Sequence, residues 1–354
     1  MSPLITTPKK DGDIRLIIDI RRPNEAILRE RHPIPTIEEI KQEMRDATIF
    51  SKLDLKMGYH QIELDEDSRP ITTFSTPIGL RRYKRLSLGI TSASECYQHI
   101  LEQRVLKGLK GARNISDDII VWGKTVEEHH RNLEALLKRI KELGLTLNKK
   151  KCEFGKESIT FFGIVLTADG AKADPQKIKA IEDLQEPKTV QELRSLLGLA
   201  TYLSSFIKNF SDLVEPLRLP LRKGMKFEWT TAQKEAFKEL KEGLKSKQVM
   251  AYWSPTAKTT LTVDASPYAL GAILQQEQKN GSLKVISNAS RSLTEMERRY
   301  CKTEREGLAI VWGCEHFQKY LIDTYFDLYT DHQPLVHIYS PTSKPSARLE
   351  RWVL

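Results

Sequence analysis

Asp117 and Asp118 are adjacent carboxylates in the stretch "ISDDII", where β-branched residues surround them. The flanks "ARNIS" and "IIVWG" have the composition of strands, so the acidic pair is predicted to occupy the turn of a hairpin. Asp-rich turns are common, and the pair alone indicates no function. A third carboxylate, Asp54 in "FSKLDLKMGYHQIEL", also lies among alternating apolar residues.

Three carboxylates brought together repel one another, and their pKa values rise unless divalent cations lie between them. Mg²⁺ fits such a cluster because it prefers oxygen ligands and keeps positions for water and substrate phosphate. Two ions about 3.5 to 4 Å apart can hold the attacking and leaving oxygens of a phosphoryl transfer. If the fold brings Asp54 to the acidic pair, these residues therefore predict a two-metal phosphoryl-transfer centre.

The basic residues favour a polyanionic partner. The chain has 354 residues and a formal net charge of +9. Basic stretches interleave with aromatic side chains, as a nucleic-acid track requires. These stretches are "LRRYKR" at 80–85, "NKKK" at 148–151 and "LRKGMK" at 221–226. A well-charged surface without such a partner is the alternative that composition leaves open.

Cysteine usage and hydropathy argue against other classes of protein. Cys96, Cys152, Cys301 and Cys314 show no CxxC spacing, so neither a zinc site nor a disulfide framework is indicated. The N-terminus has no apolar signal, and no stretch approaches the roughly 18 apolar residues of a membrane span. We therefore expect a reduced intracellular protein, cytoplasmic or nuclear, without a membrane partner.

Hydrophobic periodicity along the chain predicts an α+β unit, then a helical middle region, then a separate α/β unit. Asp117 and Asp118 belong to the first unit. The predicted strands are 14–20, a hairpin over 158–170, "TTLTVDAS", "GSLKVIS" and "YFDLYTD" at 325–331. The predicted helices are 92–106, one opening at the Thr125 capping box, two opening at Asp174 and Thr189, 231–244, and a long one near 303–321.

A series of motifs, in a fixed order over essentially the whole chain, resembles the pol polyprotein of gypsy-type long-terminal-repeat retrotransposons. The motifs are "TPKKDGDIRLIIDIRRPN", "FSKLDLKMGYHQIEL", "YKRLSLGITSASECYQ", "NISDDIIVWGKTVEEH", "FFGIVLTADGAKADPQKI", "LRSLLGLATYLSSFIKNFS", "FEWTTAQKEAF", "LTVDASPYALGAIL", "TEREGLAIVW" and "YTDHQPL". The resemblance implies an α+β fold: a right-hand polymerase followed by an α/β ribonuclease H-like domain truncated at its C-terminus. The implied domains are fingers and palm (1–173), helical thumb and connection (174–250) and the ribonuclease H-like domain (251–354).

For the polymerase, the resemblance implies that Asp54, Asp117 and Asp118 are the palm's metal ligands, holding two Mg²⁺ or Mn²⁺ ions. It also implies a set of substrate-binding residues. These are Arg15 and either Lys9 or Lys10 for the incoming triphosphate, Tyr59 for the sugar, and Phe161 and Gly163 of "FFG" for the primer. For Tyr59, an ordinary core or edge-strand position is the alternative.

Downstream, the resemblance implies that Asp264, Glu306 and Asp331 are ribonuclease H metal ligands, again with two ions. The periodicity predicts Asp264 and Asp331 on strands and Glu306 on the helix between them. Glu304 lies two residues before Glu306 and is expected to point elsewhere.

The implied function is an RNA-directed DNA polymerase that uses an RNA template, a DNA primer and dNTPs, with attached cleavage of RNA–DNA hybrids. Ile115, Ser116 and "SLG" at 87–89 depart from the family's usual pattern, which puts rate and fidelity in question. The chain also begins within the fingers and stops before the last ribonuclease H helix, so we expect a weakened or inactive nuclease.

Two alternatives follow from these departures. One is a truncated, element-derived protein that binds nucleic acid without turnover. The other is a nuclease with a vestigial polymerase half. The sequence does not define the oligomeric state.

Overall fold

The structure, a computed structural model, describes residues 2–8, 12, 14–222, 224–245, 249–278 and 280–338. The chain divides into two compact units, residues 1–161 and 162–354. The mixture of helices and strands in each confirms the predicted α+β class. The division into fingers and palm, thumb and ribonuclease H-like domains remains a prediction. No helix in the described ranges is both long and apolar enough to cross a bilayer.

Unit 1 is built around an antiparallel sheet. Its strands are β1 (Leu4–Pro8), β2 (Ile14–Ile18), β3 (Ile49–Asp54), β4 (Phe74–Thr76), β5 (Gly79–Arg81), β6 (Ala112–Ile115), β7 (Asp118–Gly123), β8 (Glu153–Lys156) and β9 (Ser158–Phe161). Its helices are α1 (Arg21–Ala26), α2 (Ile37–Glu43), α3 (Ala93–Ile100) and α4 (Val126–Glu142). The central sheet has the order β6-β7-β3-β8, while β1 pairs with β2 and β4 with β5.

The core of unit 1 lies between this sheet and the helices α3 and α4. Leu53, Ile119 and Val121 of the sheet pack with Leu101, which follows α3, and with Leu136 of α4. Residues 101–106 continue α3 as a π-helix, so the helix predicted over 92–106 is present with a change of winding at Leu101. Thr125 caps α4, accepting a hydrogen bond from the backbone N–H of Glu128, as its sequence predicts.

Unit 2 combines a helical segment with a mixed sheet. Its strands are β10 (Ile164–Thr167), β11 (Gly170–Ala173), β12 (Thr259–Ala265), β13 (Ala269–Glu277), β14 (Leu283–Ser292) and β15 (Phe326–Tyr329). Its helices are α5 (Pro175–Glu182), α6 (Val190–Tyr202), α7 (Phe210–Leu213), α8 (Glu215–Arg218), α9 (Thr231–Lys245), α10 (Lys302–His316), α11 (Gln318–Leu321) and α12 (Pro334–Ile338).

The main sheet of unit 2 has the order β14-β13-β12-β15, in which β15 runs parallel to β12 and the other pairs are antiparallel. Helix α10 packs against β12, with Ala309 and Ile310 in the same core as Leu261 and Val263. The helix predicted near 303–321 is interrupted at Phe317, between α10 and α11. The prediction that Asp331 lies on a strand is wrong, because β15 ends at Tyr329.

Candidate active sites

Antiparallel pairing brings the three predicted polymerase carboxylates to one end of the central sheet of unit 1. Asp54, the last residue of β3, lies directly opposite Asp118, the first residue of β7. Ser116 and Asp117 form the two-residue turn between β6 and β7. The backbone N–H of Leu55 donates to the carbonyl oxygen of Asp117 over 3.2 Å. The hairpin turn that the acidic pair predicted is therefore present, and it lies beside Asp54.

The side chain of Gln98 forms hydrogen bonds to the backbone of this turn, a role that the sequence analysis did not predict. Its side-chain oxygen accepts from the backbone N–H of Ser116 over 2.8 Å, and its amide nitrogen donates to the Asn114 carbonyl over 3.1 Å. The Asn114 amide in turn donates to the Ser116 carbonyl over 2.9 Å. These bonds support Ser116 in the left-handed region, with φ of 53°, which an L-residue adopts only when its surroundings compensate.

The acidic end of the sheet is partly buried and carries two lysines. Burial raises the pKa of Asp118, the charge of Lys52 lowers it, and the charges of Asp117 and Asp54 raise it again. Asp54 is buried, and Lys151 Nζ lies 3.3 Å from its Oδ2. A divalent cation would relieve the repulsion that raises the pKa of Asp118, so the donor set fits a hard, oxygen-binding metal ion.

Tyr59 follows Asp54 in a short 3-10 turn, Gly58–Gln61. Its hydroxyl donates to Ser94 Oγ over 3.0 Å, and its ring lies 4.9 Å from the ring of Tyr97, centroid to centroid. These two contacts fix the ring next to the acidic end of the sheet. Both partners come from α3, and neither contact could be anticipated from the motif around Tyr59.

The predicted triphosphate ligands are only partly described. Lys9 and Lys10 lie outside the described residues. Arg15 lies on β2, opposite Thr7 on β1, and its side chain is also outside the described part. Their role stays a prediction.

In the "FFG" stretch, the two phenylalanines differ in exposure. Phe161 ends β9 and is completely buried, whereas Phe162 is 40% exposed. Phe162 and Gly163 both have positive φ, 44° and 65°. The predicted role of Phe161 as a substrate contact therefore does not fit its burial, and Phe162 is the aromatic side chain with surface available.

The second acidic cluster lies within unit 2. Asp264 lies on β12, Glu306 on α10 and Asp331 two residues beyond β15. Because β12 and β15 are parallel, Asp264 and Asp331 lie at the same end of the sheet. Helix α10 packs against this sheet and brings Glu306 to them. Ligand atoms of the three carboxylates all lie within 4.8 Å of one another. Among the described residues, this is the only acidic, His or Cys group of three or more that reaches this spacing.

Glu306 is the most buried member of this cluster, with 1% of its surface exposed. Its Oε2 has no hydrogen-bond partner in the described part of the chain. Burial, followed by the charges of Asp331 and Asp264, raises the pKa of Glu306 to about 7. An orphaned buried carboxylate oxygen beside two like charges fits a divalent cation. Glu304 instead accepts from the backbone N–H of Cys301 at the start of α10, away from the cluster as predicted.

Asp212 is a further acid near this cluster that the sequence did not reveal, because it lies some fifty residues earlier, on α7. It accepts a hydrogen bond from the hydroxyl of Ser266. The same hydroxyl accepts from the backbone N–H of Ala269 over 2.9 Å. Asp212 thereby helps to fix the turn that follows Asp264.

Two family models match stretches of the chain that carry five of the six acids in the two clusters, all but Asp331. Residues 7–166 match the reverse transcriptase (RNA-dependent DNA polymerase) family, and residues 229–328 match the RNase H-like domain found in reverse transcriptase. The first match contains Asp54, Asp117 and Asp118, and the second contains Asp264 and Glu306. The fold and its acidic centres thus define a reverse transcriptase region joined to a ribonuclease H-like region.

Relatives cover nearly the whole chain. It is 36% identical to the retrovirus-related Pol polyprotein from transposon 297 and 34% identical to that from transposon gypsy, both of Drosophila melanogaster. Each match covers 99% of this chain and 33% or 35% of the relative, so the chain spans about a third of the length of these curated relatives. The chain is similar over nearly its whole length to the reverse transcriptase and ribonuclease H region of gypsy-type retrotransposon Pol polyproteins, which confirms the resemblance.

Solved structures support the same fold. The foamy viral protease-reverse transcriptase in complex with double-stranded DNA superposes with a TM-score of 0.85 at 23% identity, covering 99% of this chain and 74% of that one. The same viral protein in complex with an RNA/DNA hybrid gives 0.81 at 23% identity, covering 99% and 48%. The predicted right-hand polymerase fold with a ribonuclease H-like domain is therefore confirmed.

Proposed function

We propose that this chain is an RNA-directed DNA polymerase that extends a DNA primer with dNTPs on an RNA template. The observation that carries the proposal is the pairing of Asp54 with Asp118 beside the Ser116–Asp117 turn. Asp54, Asp117 and Asp118 would hold two Mg²⁺ or Mn²⁺ ions. Those ions supply charge neutralisation at the attacking and leaving oxygens.

The protein's own residues bind and orient the substrates in this proposal. Tyr59, fixed by Ser94 and Tyr97, would place the sugar of the incoming nucleotide and oppose a 2′-hydroxyl. Arg15 and either Lys9 or Lys10 would bind the triphosphate. The "FFG" stretch, with Gly163 and its exposed Phe162, would contact the primer. We assign 1–173 to fingers and palm, 174–250 to thumb and connection, and 251–354 to the ribonuclease H-like domain.

We further propose hydrolysis of the RNA strand of an RNA–DNA hybrid at Asp264, Glu306 and Asp331. The observation that favours this second activity is the spacing of their ligand atoms, within 4.8 Å. Two divalent ions would again supply the charge neutralisation. Both reactions use intracellular substrates, so a cytoplasmic or nuclear location belongs to the same proposal.

Primer extension on an RNA template with Mg²⁺ tests the first activity, and cleavage of a labelled hybrid tests the second. We expect Asp118→Asn to abolish extension, with a loss of at least about 10³-fold, because the ions lose a ligand. It should leave hybrid cleavage and duplex binding unchanged. Glu306→Gln should abolish hybrid cleavage and leave primer extension and duplex binding unchanged. Asp169→Asn, at the exposed turn between β10 and β11, is the matched control.

The outcomes separate the alternatives. Wild-type protein that binds a primer–template and extends nothing would overturn the polymerase and favour a nucleic-acid-binding protein without turnover. Cleavage without extension would favour a nuclease with a vestigial polymerase half.

A further inference from the structure

The hydroxyl of Tyr97 is a buried polar group without a hydrogen-bond partner. Tyr97 lies on α3 and is 1% exposed. Its hydroxyl oxygen makes no hydrogen bond within the described ranges of the chain. Buried polar groups are nearly always satisfied, because an unmet one destabilises the folded state. A phenylalanine would fill the same volume without that cost, so the hydroxyl needs an explanation.

The Tyr97 hydroxyl and the Asp117 side chain both pack against Gly58. A Cβ atom built on Gly58 would lie 2.4 Å from the Tyr97 hydroxyl oxygen and 3.1 Å from Cβ of Asp117. The hydroxyl oxygen and Cβ of Asp117 therefore both lie against Gly58, at most about 5.5 Å apart, and a side chain at position 58 would displace them. Rotation of the Asp117 carboxylate about its Cα–Cβ bond can bring one of its oxygens within hydrogen-bonding distance of the hydroxyl.

The electrostatics of Tyr97 agree with this geometry. Burial is the largest cause that raises the pKa of Tyr97, and the charges of Asp117, Tyr59 and Asp54 raise it further. The phenol is protonated at neutral pH and can donate a hydrogen bond to a carboxylate. The next residue, Gln98, already holds the backbone of the same turn at Ser116.

We propose that Tyr97 is a positioning residue for the polymerase metal centre: its hydroxyl donates a hydrogen bond to the Asp117 carboxylate when the three carboxylates bind divalent ions. One carboxylate oxygen of Asp117 would then accept the hydrogen bond from Tyr97, which leaves the other oxygen directed to the metal. Such outer contacts orient metal ligands and tune affinity in many metalloproteins. The inference rests on the proposed function, in which Asp54, Asp117 and Asp118 are the metal ligands.

Tyr97→Phe tests the proposal because it removes one oxygen atom and keeps the packing. We expect about tenfold more Mg²⁺ to be needed for half-maximal primer extension, in line with the loss of an outer-shell contact. KM for dNTP at saturating Mg²⁺ should stay within about twofold, since Tyr59 keeps its contact with the Tyr97 ring. In EDTA, the thermal midpoint of Tyr97→Phe should equal or exceed that of the wild type, because an unsatisfied hydroxyl has been removed.

A readout independent of activity is Mn²⁺ binding, followed by electron paramagnetic resonance. The titration is performed on full chains carrying Glu306→Gln, so that the second acidic cluster is impaired. Tyr97→Phe should weaken Mn²⁺ binding about tenfold, as it does for Mg²⁺. Tyr252→Phe is the matched control, because its hydroxyl is also buried but lies in unit 2. This control should leave the metal dependence unchanged.

Each outcome decides between the proposal and its rivals. Wild-type metal dependence in Tyr97→Phe overturns the inference and leaves the hydroxyl a structural or water-bound group. A lower thermal midpoint in EDTA with no change in Mn²⁺ affinity overturns it as well. If Asp118→Asn abolishes extension while Tyr97→Phe matches the wild type, the inference alone fails. If the wild type extends no primer and binds no Mn²⁺, both fail together.

Discussion

At Glu306, one buried carboxylate oxygen lacks a partner within the described part of the chain, and the carboxylates of Asp264 and Asp331 lie within 4.8 Å. Its pKa of about 7 means that the metal-free protein holds a proton here near neutral pH. Binding of a divalent ion would therefore release that proton, which couples metal affinity at this cluster to pH. Above pH 7 the carboxylate of Glu306 is already ionised, so metal binding no longer requires the release of a proton.

Replacing Glu306 by Gln should stabilise the metal-free protein at high pH. A carboxyl whose folded pKa lies above its unfolded value destabilises the folded state as pH rises through the interval from 4.5 to about 7. Because Gln cannot ionise, the stability of the variant does not fall over this pH interval through this residue. We expect the gain in thermal midpoint over wild type, measured in EDTA, to be larger at pH 8 than at pH 5.

The matched control for this measurement is Glu304→Gln, at the start of the same helix, where no such trend is expected. An equal or smaller gain at pH 8 than at pH 5 for Glu306→Gln would contradict the raised pKa. Excess Mg²⁺ should also reverse the sign at pH 8, because the wild type gains stability from the ion that it binds.

Single residues show where sequence reasoning succeeds and where it stops. Asp54 and Asp118 could be recognised because each carboxylate interrupts an apolar stretch, and antiparallel pairing then placed them opposite each other. Gln98 and Tyr97 could not, because a polar side chain on a helix gives no sign of a partner sixteen or more residues away. Phe161 and Phe162 are adjacent residues of the same type, so the sequence gives no reason to prefer either as the buried one. Only the structure shows that Phe161 is buried and Phe162 exposed.

Among the secondary-structure elements, β7 and α4 approach closely enough to require a glycine. A Cβ atom on Gly123, the last residue of β7, would lie 2.4 Å from the backbone nitrogen of His129. That atom belongs to the first turns of α4, so the whole helix would have to shift. We expect Gly123→Ala to lower the free energy of unfolding by about 1 to 3 kcal/mol, measured by urea denaturation.

Gly198→Ala provides the opposite control. Gly198 is exposed within α6, and a Cβ atom there would meet no atom within 4 Å. Alanine has the higher helix propensity, so this change should raise stability by up to about 1 kcal/mol. A Gly123→Ala protein as stable as wild type would show that β7 and α4 are not held at this distance.

Helix starts were predictable and helix ends less so. Thr125, Asp174 and Thr189 all cap the helices that their sequences predicted, because a side-chain oxygen satisfies backbone N–H groups within three residues. The interruption at Phe317 and the end of β15 before Asp331 have no such local signal. Packing against the rest of the sheet decides both.

For the molecule as a whole, the net charge of +9 bears on the strength of nucleic-acid binding. Each phosphate that a lysine neutralises contributes about 0.9 to the slope of log affinity against log salt concentration for duplex DNA. Lys149 and Lys150 are exposed residues of the "NKKK" stretch. We expect the double change to Gln to reduce the magnitude of the slope by up to about 2, measured by fluorescence anisotropy with a labelled duplex.

That reduction should be the same for duplexes of different sequence, because phosphate contacts do not read bases. Changing Glu134 and Lys138 on α4 to Gln together keeps the net charge and serves as the control. An unaltered slope in the Lys149 and Lys150 variant would place the nucleic-acid track elsewhere.

The predicted boundary at 250, between a helical segment and an α/β domain, stays a prediction. Both segments lie within unit 2. The backbone N–H of Ser211 donates to Ser290 Oγ over 2.9 Å, and the Asn288 amide donates to the Ser205 carbonyl over 2.8 Å. These hydrogen bonds join residues 205–211 to β14. Hydrophobic periodicity cannot predict them, because they connect polar groups.

The direct opposition of Asp54 and Asp118 has a genetic consequence. Successive side chains of a strand alternate between faces, so loss of one residue from 49–53 turns every later side chain of β3 over or shifts its register. A three-nucleotide deletion there would preserve the reading frame and the composition almost entirely. It would nevertheless separate the carboxylate of Asp54 from that of Asp118, so an in-frame deletion can disable the proposed metal site while the rest of the chain is still translated.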